Sequence, residues 1–130
     1  MNRRRACLAF AIAALITTIG CSGSESEVSG TVLMDNQPLK EGDIIFEDVE
    51  GKVTPVAGKI VDGKYSLKVL PGKKKVKISA SRPTKKVDPV MGAAAREAMI
   101  PVEFNEQTKL TAEVKPGKQD GVNFEVKSLP

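Results

Sequence analysis

Histidine and tryptophan are absent from the chain, and cysteine occurs only as Cys7 and Cys21. Without an imidazole there can be no Ser-His-Asp or Cys-His arrangement and no His-containing zinc site, and two cysteines cannot supply a four-thiolate site. Aromatic residues make up 4% of the sequence, so aliphatic side chains must fill most of any core. No GxGxxG or Walker-type glycine loop is present to cradle a phosphate. The longest apolar run, Ala6 to Ile19, spans roughly 21 Å as a helix, short of a hydrocarbon layer of about 30 Å. Excess charge is missing too. The formal +4 includes Arg3, Arg4 and Arg5, and beyond them 17 basic residues face 16 acidic ones. That balance leaves no long-range field to steer the chain toward nucleic acid or anionic lipid headgroups.

What is present begins with a leader. Asn2-Arg3-Arg4-Arg5 is a basic start, the run Ala6–Ile19 is uncharged, and Gly20-Cys21 opens onto a polar Ser-Gly-Ser-Glu stretch. This order fits a secretory signal peptide. Its end, Thr18-Ile19-Gly20-Cys21, resembles a lipobox, where bacterial lipoproteins are acylated and cleaved. The resemblance implies that Cys21 becomes the first mature residue and carries a diacylglyceryl thioether with an N-acyl chain. Two or more chains anchor stably where one binds only marginally. An ordinary secretory signal is the plainer alternative. A Cys7–Cys21 disulfide is disfavoured because Cys7 would leave with the leader, and the folded part would then hold no cysteine chemistry. Ser22 is not the Asp of inner-membrane retention, so the expected address is the cell envelope, at the outer membrane if the cell has two. The expected division is a signal peptide over 1–20, a lipid-anchored linker over 21–27 and a β-sandwich domain over 28–130.

From Val28 onward hydrophobicity has a period of two. Val28, Gly30, Val32 and Met34 share one face, followed by Ile44 and Phe46; Val56, Gly58 and Ile60; Tyr65, Leu67 and Val69; and Val76, Ile78 and Ala80. Ile100, Val102 and Phe104, then Leu110, Ala112 and Val114, then Val122, Phe124 and Val126 continue it. Alternation of this kind belongs to antiparallel sheets with one wet face. Asp62-Gly63 is the strongest hairpin signal, since a type I′ turn needs positive φ at both central positions. Asn36-Gln37-Pro38, Glu50-Gly51, Pro71-Gly72, Asn105-Glu106 and Pro116-Gly117 mark further turns. Pro55 removes a ladder donor, so its strand should start after it. The pattern predicts an all-β, seven- to eight-stranded antiparallel Greek-key sandwich behind a cleaved signal helix.

The stretch from Arg82 to Met99 breaks the alternation. Asp88-Pro89 reads as an N-cap and first helical residue, and Ala93-Ala94-Ala95-Arg96-Glu97-Ala98 favours helix. A loop with two turns of helix is expected there, with Gly92 weakening it by about 1 kcal/mol.

Val28-Ser29-Gly30-Thr31-Val32 leads through Gln37-Pro38-Leu39 to Asp43-Ile44-Ile45-Phe46. Gly58-Lys59-Ile60-Val61-Asp62-Gly63-Lys64-Tyr65-Ser66-Leu67 then runs into Leu70-Pro71-Gly72-Lys73. These segments, with the tail Leu110 to Gly117, resemble the carboxypeptidase regulatory-like, transthyretin-type β-sandwich of many bacterial envelope lipoproteins. The resemblance implies an accessory module with no catalytic residues.

Three clusters could carry chemistry. Asp43, Glu47, Asp48 and Glu50 lie close together, but a glycosidase pair needs a desolvated carboxyl and calcium loops need a spacing not found here. Lys73-Lys74-Lys75 with Lys77 could meet an anionic partner, yet their interleaving with Val76 and Ile78 suits the outward face of a strand. Phe46, Tyr65, Phe104 and Phe124 sit on inward positions, as core rather than as a sugar platform. The expectation is a non-enzymatic, lipid-anchored envelope domain with a structural or protein-interaction role. It has no cofactor, metal or nucleic acid, and its contacts lie at sheet edges or the 82–99 loop. A ligand-binding module for glycan, peptide or metal is the alternative.

Overall fold

The computed structural model describes residues 23–87, 89, 90, 92 and 94–130. The expected signal segment, 1–20, and Cys21 lie outside the described residues, as does Asp88. The described part is all-β. Its main strands are β1 (Ser26–Met34), β2 (Gln37–Pro38), β3 (Glu41–Asp48), β4 (Val56–Val61), β5 (Lys64–Val69) and β6 (Gly72–Ser79). A hairpin follows, β7 (Ser81–Val87) and β8 (Ala94–Ala98), then a 3₁₀ turn at Val102–Phe104 and the short strands β9 (Thr111–Val114), β10 (Lys118–Gln119) and β11 (Phe124–Val126).

One sheet runs β10-β1-β5-β4-β3-β6-β9, with β2 and β11 also paired to β1. Its inner face carries the expected alternation: Val28, Val32, Ile44, Phe46, Ile60, Tyr65, Leu67, Val69, Val76, Ile78 and Val114 are buried. One apolar face of every strand can be hidden only if the sheet curls on itself, and Phe46, Tyr65 and Phe124 meet in its hollow with ring centroids 6.1–6.3 Å apart. The rings are tilted or edge-on, as their quadrupoles prefer.

The hairpin at Asp62-Gly63 forms as the sequence predicts, with φ of 50° and 75° between β4 and β5. β4 begins at Val56, directly after Pro55. The turn after β1 falls one residue earlier than expected. Asp35 and Asn36 adopt positive φ, and Gln37–Pro38 is already a strand returning along β1.

The C-terminal segments depart from a purely antiparallel arrangement, because β10 and β11 both run parallel to β1. Between them the chain crosses Gly30 so closely that a Cβ there would lie 1.9 Å from the Val122 carbonyl oxygen. Only glycine admits this approach. The Val122 N–H donates to Ser29 O, and its carbonyl accepts the Tyr65 hydroxyl at 2.6 Å. Asn123 Oδ1 accepts both the backbone N–H and the hydroxyl of Thr31. At the open seam of the curl, Gln119 Nε2 donates to Glu113 O while its Oε1 accepts the Lys115 N–H, linking the tail to β9.

Two expected elements are corrected. Residues 82–99 form no described helix; β7 and β8 pair antiparallel as a separate two-stranded sheet. Alanine's helix preference is a weak prior, and two turns of helix fall well below the length at which an isolated helix holds. Pairing with β7 satisfies its backbone instead. The segment Ile100, Val102, Phe104 is not a strand either. Pro101 has no N–H to give to a ladder, and the chain turns, with Phe104 N–H donating to Pro101 O. Ile100 stays buried, Phe104 packs partly against the core and Val102 is exposed.

The register defines two poles. At one, Ser26 lies opposite Val69, Asp48 opposite Lys74 and Gly72 opposite Val114. At the other, β1 ends at Met34, and β6 ends at Ser79 and passes through Ala80 into the hairpin. The Met99 N–H donates to Ala80 O and the Leu129 N–H to Met99 O, fixing the hairpin root to that second pole.

Candidate functional site

The acidic group on β3 and its following turn does not gather around one point. Each carboxylate has its own cation: Asp43 meets Lys59, Glu47 meets Lys77 at 2.9 Å, Asp48 meets Lys74 at 3.0 Å and Glu50 meets Lys52 at 2.6 Å. Cross-strand register produces three of these pairs, since β3 lies between β4 and β6. The Lys77 ammonium hydrogen-bonded to Glu47 holds that carboxyl below its usual range and raises Lys77 in return. Lys74, helped by the Lys52 backbone N–H, lowers Asp48 in the same way. These are ion-paired carboxylates, the opposite of a proton-donating acid with a raised pKa. Among the described residues no three His, Cys, Asp or Glu side chains converge as a metal site.

The lysine run divides by register, which corrects the expectation that all of it faces water. Lys73 and Lys75 are exposed, but Lys74 shares the inward face of Val76 and Ile78 and is 1% exposed. Its stem lies in the core, and its Nζ donates to Asp48 Oδ1. The pair pins the turn after β3 to the start of β6. Period alone places Lys74 inward; what the sequence could not supply was the carboxylate opposite it.

The aromatic residues are core. Phe46 and Tyr65 are buried, while Phe124 and Phe104 are partly buried against them. Burial pushes the Tyr65 phenol up, so the hydroxyl remains a proton donor to Val122 at any ordinary pH. Phe46 and Tyr65 therefore have no open ring face for stacking a sugar, while Phe104 lines a shallow surface pocket with Glu103, Gln107, Lys109 and Leu110. One buried polar atom, Ser26 Oγ, has no hydrogen-bond partner among the described residues; the structure gives no physical account of it.

The remaining candidate contact element is the β7–β8 hairpin, which sequence reasoning placed correctly as the odd segment but assigned the wrong conformation. Arg82 Nε donates to Glu97 across the two strands, and Arg96 donates to the hydroxyl and carbonyl of Ser81. Arg82 and Glu97 face each other in the β7–β8 register, a pairing that a helix would not make. At the hairpin root a groove of about 310 Å³ is lined by Met34, Pro38, Leu39, Pro83 and Met99, with Arg82 at its margin. The far end of the hairpin is exposed on both faces, with Lys85, Lys86, Val87, Pro89 and Val90 all in solvent.

Cys21 precedes the described residues, so nothing structural is said of it. β1 begins at Ser26, two residues ahead of the expected domain start. No helix among the described residues is long and apolar enough to cross a membrane.

No family model matches the chain, and no curated protein matches it. Among solved structures, the chain is similar to a DUF3823 family protein from Parabacteroides merdae at 17% identity and a TM-score of 0.44. The match covers 83% of this chain and 47% of that one, so the chain spans about half the length of that structure.

Proposed function

We propose that the mature chain is a lipid-anchored, non-catalytic β-domain of a bacterial cell envelope, with a structural or protein-interaction role. The observation that carries this is the order of the first residues: a basic start, an uncharged run too short to span a bilayer, and Gly20-Cys21 before a polar stretch. Acylation at Cys21 would leave only residues 22–25 before β1 begins at Ser26, a tether of roughly 14 Å when extended. So short a leash holds the Ser26 pole against the membrane and turns the hairpin pole away from it. The all-β body with its Asp62-Gly63 hairpin is compatible with the transthyretin-type sandwich that the sequence resembles. A non-catalytic role is supported by the pairing of Asp43, Glu47, Asp48 and Glu50 each with a lysine of its own.

Metabolic labelling with a tagged fatty acid tests the anchor. The wild-type chain should take up label and fractionate with membranes, whereas Cys21→Ser should lose both. Equal labelling of the two would end the assignment. Cross-linking in intact cells tests the role, and capture of no envelope component by the anchored chain would count against it.

A further inference from the structure

We propose that a mixed-charge depression at the Ser26 end of the sheet is a site for the zwitterionic phosphoethanolamine headgroup of a membrane lipid. The proposal rests on the anchored reading above for the bilayer beside the domain, and it names what the domain meets there.

The strands gather charges of both signs into one row. Lys68 of β5 lies opposite Glu27 on one side, and Lys118 of β10 lies opposite it on the other. Residues opposite each other in a ladder point to the same side of the sheet. Glu27 stands between the buried Ser26 and Val28, so this row is on the wet, outer face. Glu25, just before β1, joins Glu27, Lys68, Gly117 and Lys118 around an open depression of about 460 Å³. Gly117 gives its carbonyl to the Glu27 N–H at 3.0 Å and adds no side chain to that wall.

Charge here is arranged differently from that on β3. The β3 carboxylates are each taken by a lysine, whereas Glu25, Glu27, Lys68 and Lys118 enter no ion pair among the described residues. Two carboxylates and two ammoniums not engaged with one another make a neutral site with acceptors and donors to spare. A simple anion would be repelled by the glutamates and a simple cation by the lysines. A phosphate joined through two carbons to a primary ammonium satisfies both. The lysines donate to its phosphate oxygens, and its own N–H groups donate to the carboxylates. A choline headgroup carries the same two charges but has no N–H to donate.

Position identifies a lipid as the source of that chemistry. Glu25 is at once a wall of the depression and the last residue of the leash. Anchoring at Cys21 therefore keeps this corner within roughly 14 Å of the headgroups. Exposed charge pairs are individually weak, but a tether raises the effective concentration of whatever lies beside it. The depression is open on one side, as a headgroup still joined to its acyl chains requires.

The test uses the full chain with Cys7→Ser, isotope-labelled and coupled through Cys21 to a maleimide-bearing lipid in nanodiscs. Discs of phosphatidylcholine alone are compared with discs that also hold phosphatidylethanolamine or phosphatidylglycerol. The amides of Glu25, Glu27, Lys68, Gly117 and Lys118 should shift on phosphatidylethanolamine and keep their reference positions on the other two. Soluble glycerophosphoethanolamine, added to the chain on phosphatidylcholine discs, should move the same amides in the same direction, and glycerophosphocholine should not. Glu25→Gln with Glu27→Gln should abolish the response by removing the carboxylates, and Lys68→Gln with Lys118→Gln by removing the phosphate donors. All four side chains are exposed, and unchanged amides at Ile44 and Val76 verify that the fold is kept. Unmoved amides on phosphatidylethanolamine would overturn the proposal, as would equal shifts on phosphatidylcholine, larger ones on phosphatidylglycerol, or a response that survives the glutamate changes. A response to the soluble compound with none on the discs would assign the site to a free ligand and overturn it too. Since the coupling is chemical, a chain that takes up no fatty acid in cells loses the anchor without altering these shifts. Labelled Cys21 with unmoved amides sinks the headgroup site alone.

Discussion

Gly30 shows how much one absent side chain can decide. The Val122 carbonyl occupies the space a Cβ would need, and that same oxygen accepts the Tyr65 hydroxyl. Gly30→Ala should therefore push the tail off β1, costing about 1–3 kcal/mol in urea unfolding, with faster amide exchange concentrated at 122–126. Unchanged exchange there would show that the tail is not held by this approach. Tyr65→Phe removes the hydroxyl and leaves the Val122 carbonyl without its donor, an expected loss of about 1 kcal/mol. Phe46→Ala empties the centre of the three-ring cluster and should cost about 3–5 kcal/mol. Lys74 calls for a different comparison. In Lys74→Met an apolar side chain of similar length takes the buried position, and Asp48 keeps its bond from the Lys52 N–H. In Asp48→Ala the buried ammonium is left without its counter-charge, so that variant should have the lower urea midpoint. The reverse order would mean that Lys74 finds water when Asp48 is removed.

Elements differ in how far the sequence could disclose them. β3, β5 and β6 bury one face and wet the other, so their period is visible in the order Ile44, Phe46, then Tyr65, Leu67, Val69, then Val76, Ile78. The hairpin hides little on either face, and its sequence carries no period for pairing to be inferred from. Alanine content then pointed to a helix, and long-range pairing overruled it. Lys74 was misjudged for a related reason: its register was legible, but its partner comes from a strand 26 residues away. β10 and β11 are two and three residues long and pair parallel, which no local pattern encodes. The hairpin's independence can be tested. Replacing residues 82–97 with Asn-Gly keeps Ser81 and Ala98 in register and supplies a two-residue turn. The body should then melt within about 1 kcal/mol of wild type, since surface changes away from the core fall near that scale. A large loss would mean that the hairpin root, with Met99 and Pro83, is part of the core.

For the molecule as a whole, the β3 ion pairs set the response to pH. Glu47 and Asp48 lie below their ordinary values of 4.5 and 3.8 because lysines hold their charged forms. The folded chain thus binds fewer protons than the unfolded chain as these carboxyls titrate, and stability rises with pH through that range. Their contribution is complete above the ordinary carboxylate values and is lost as pH falls through the depressed ones. Lys77 works in the other direction. Raised above its ordinary 10.5 by Glu47, it contributes fully below that value and loses its contribution as pH climbs past the raised one. Thermal unfolding should therefore show a plateau across neutral pH with a decline on each side. Glu47→Gln should shallow both limbs together, because it removes one carboxyl that titrates on the acid side and the partner that raises Lys77 on the alkaline side. The change should be small, since Glu47 and Lys77 are both partly exposed and such pairs are screened, and smaller still in high salt. Asp48→Asn should shallow the acid limb and leave the contribution of Lys77 to the alkaline limb in place. If Glu47→Gln altered the acid limb and left the alkaline one untouched, the coupling of Glu47 to Lys77 across β3 and β6 would be refuted in solution.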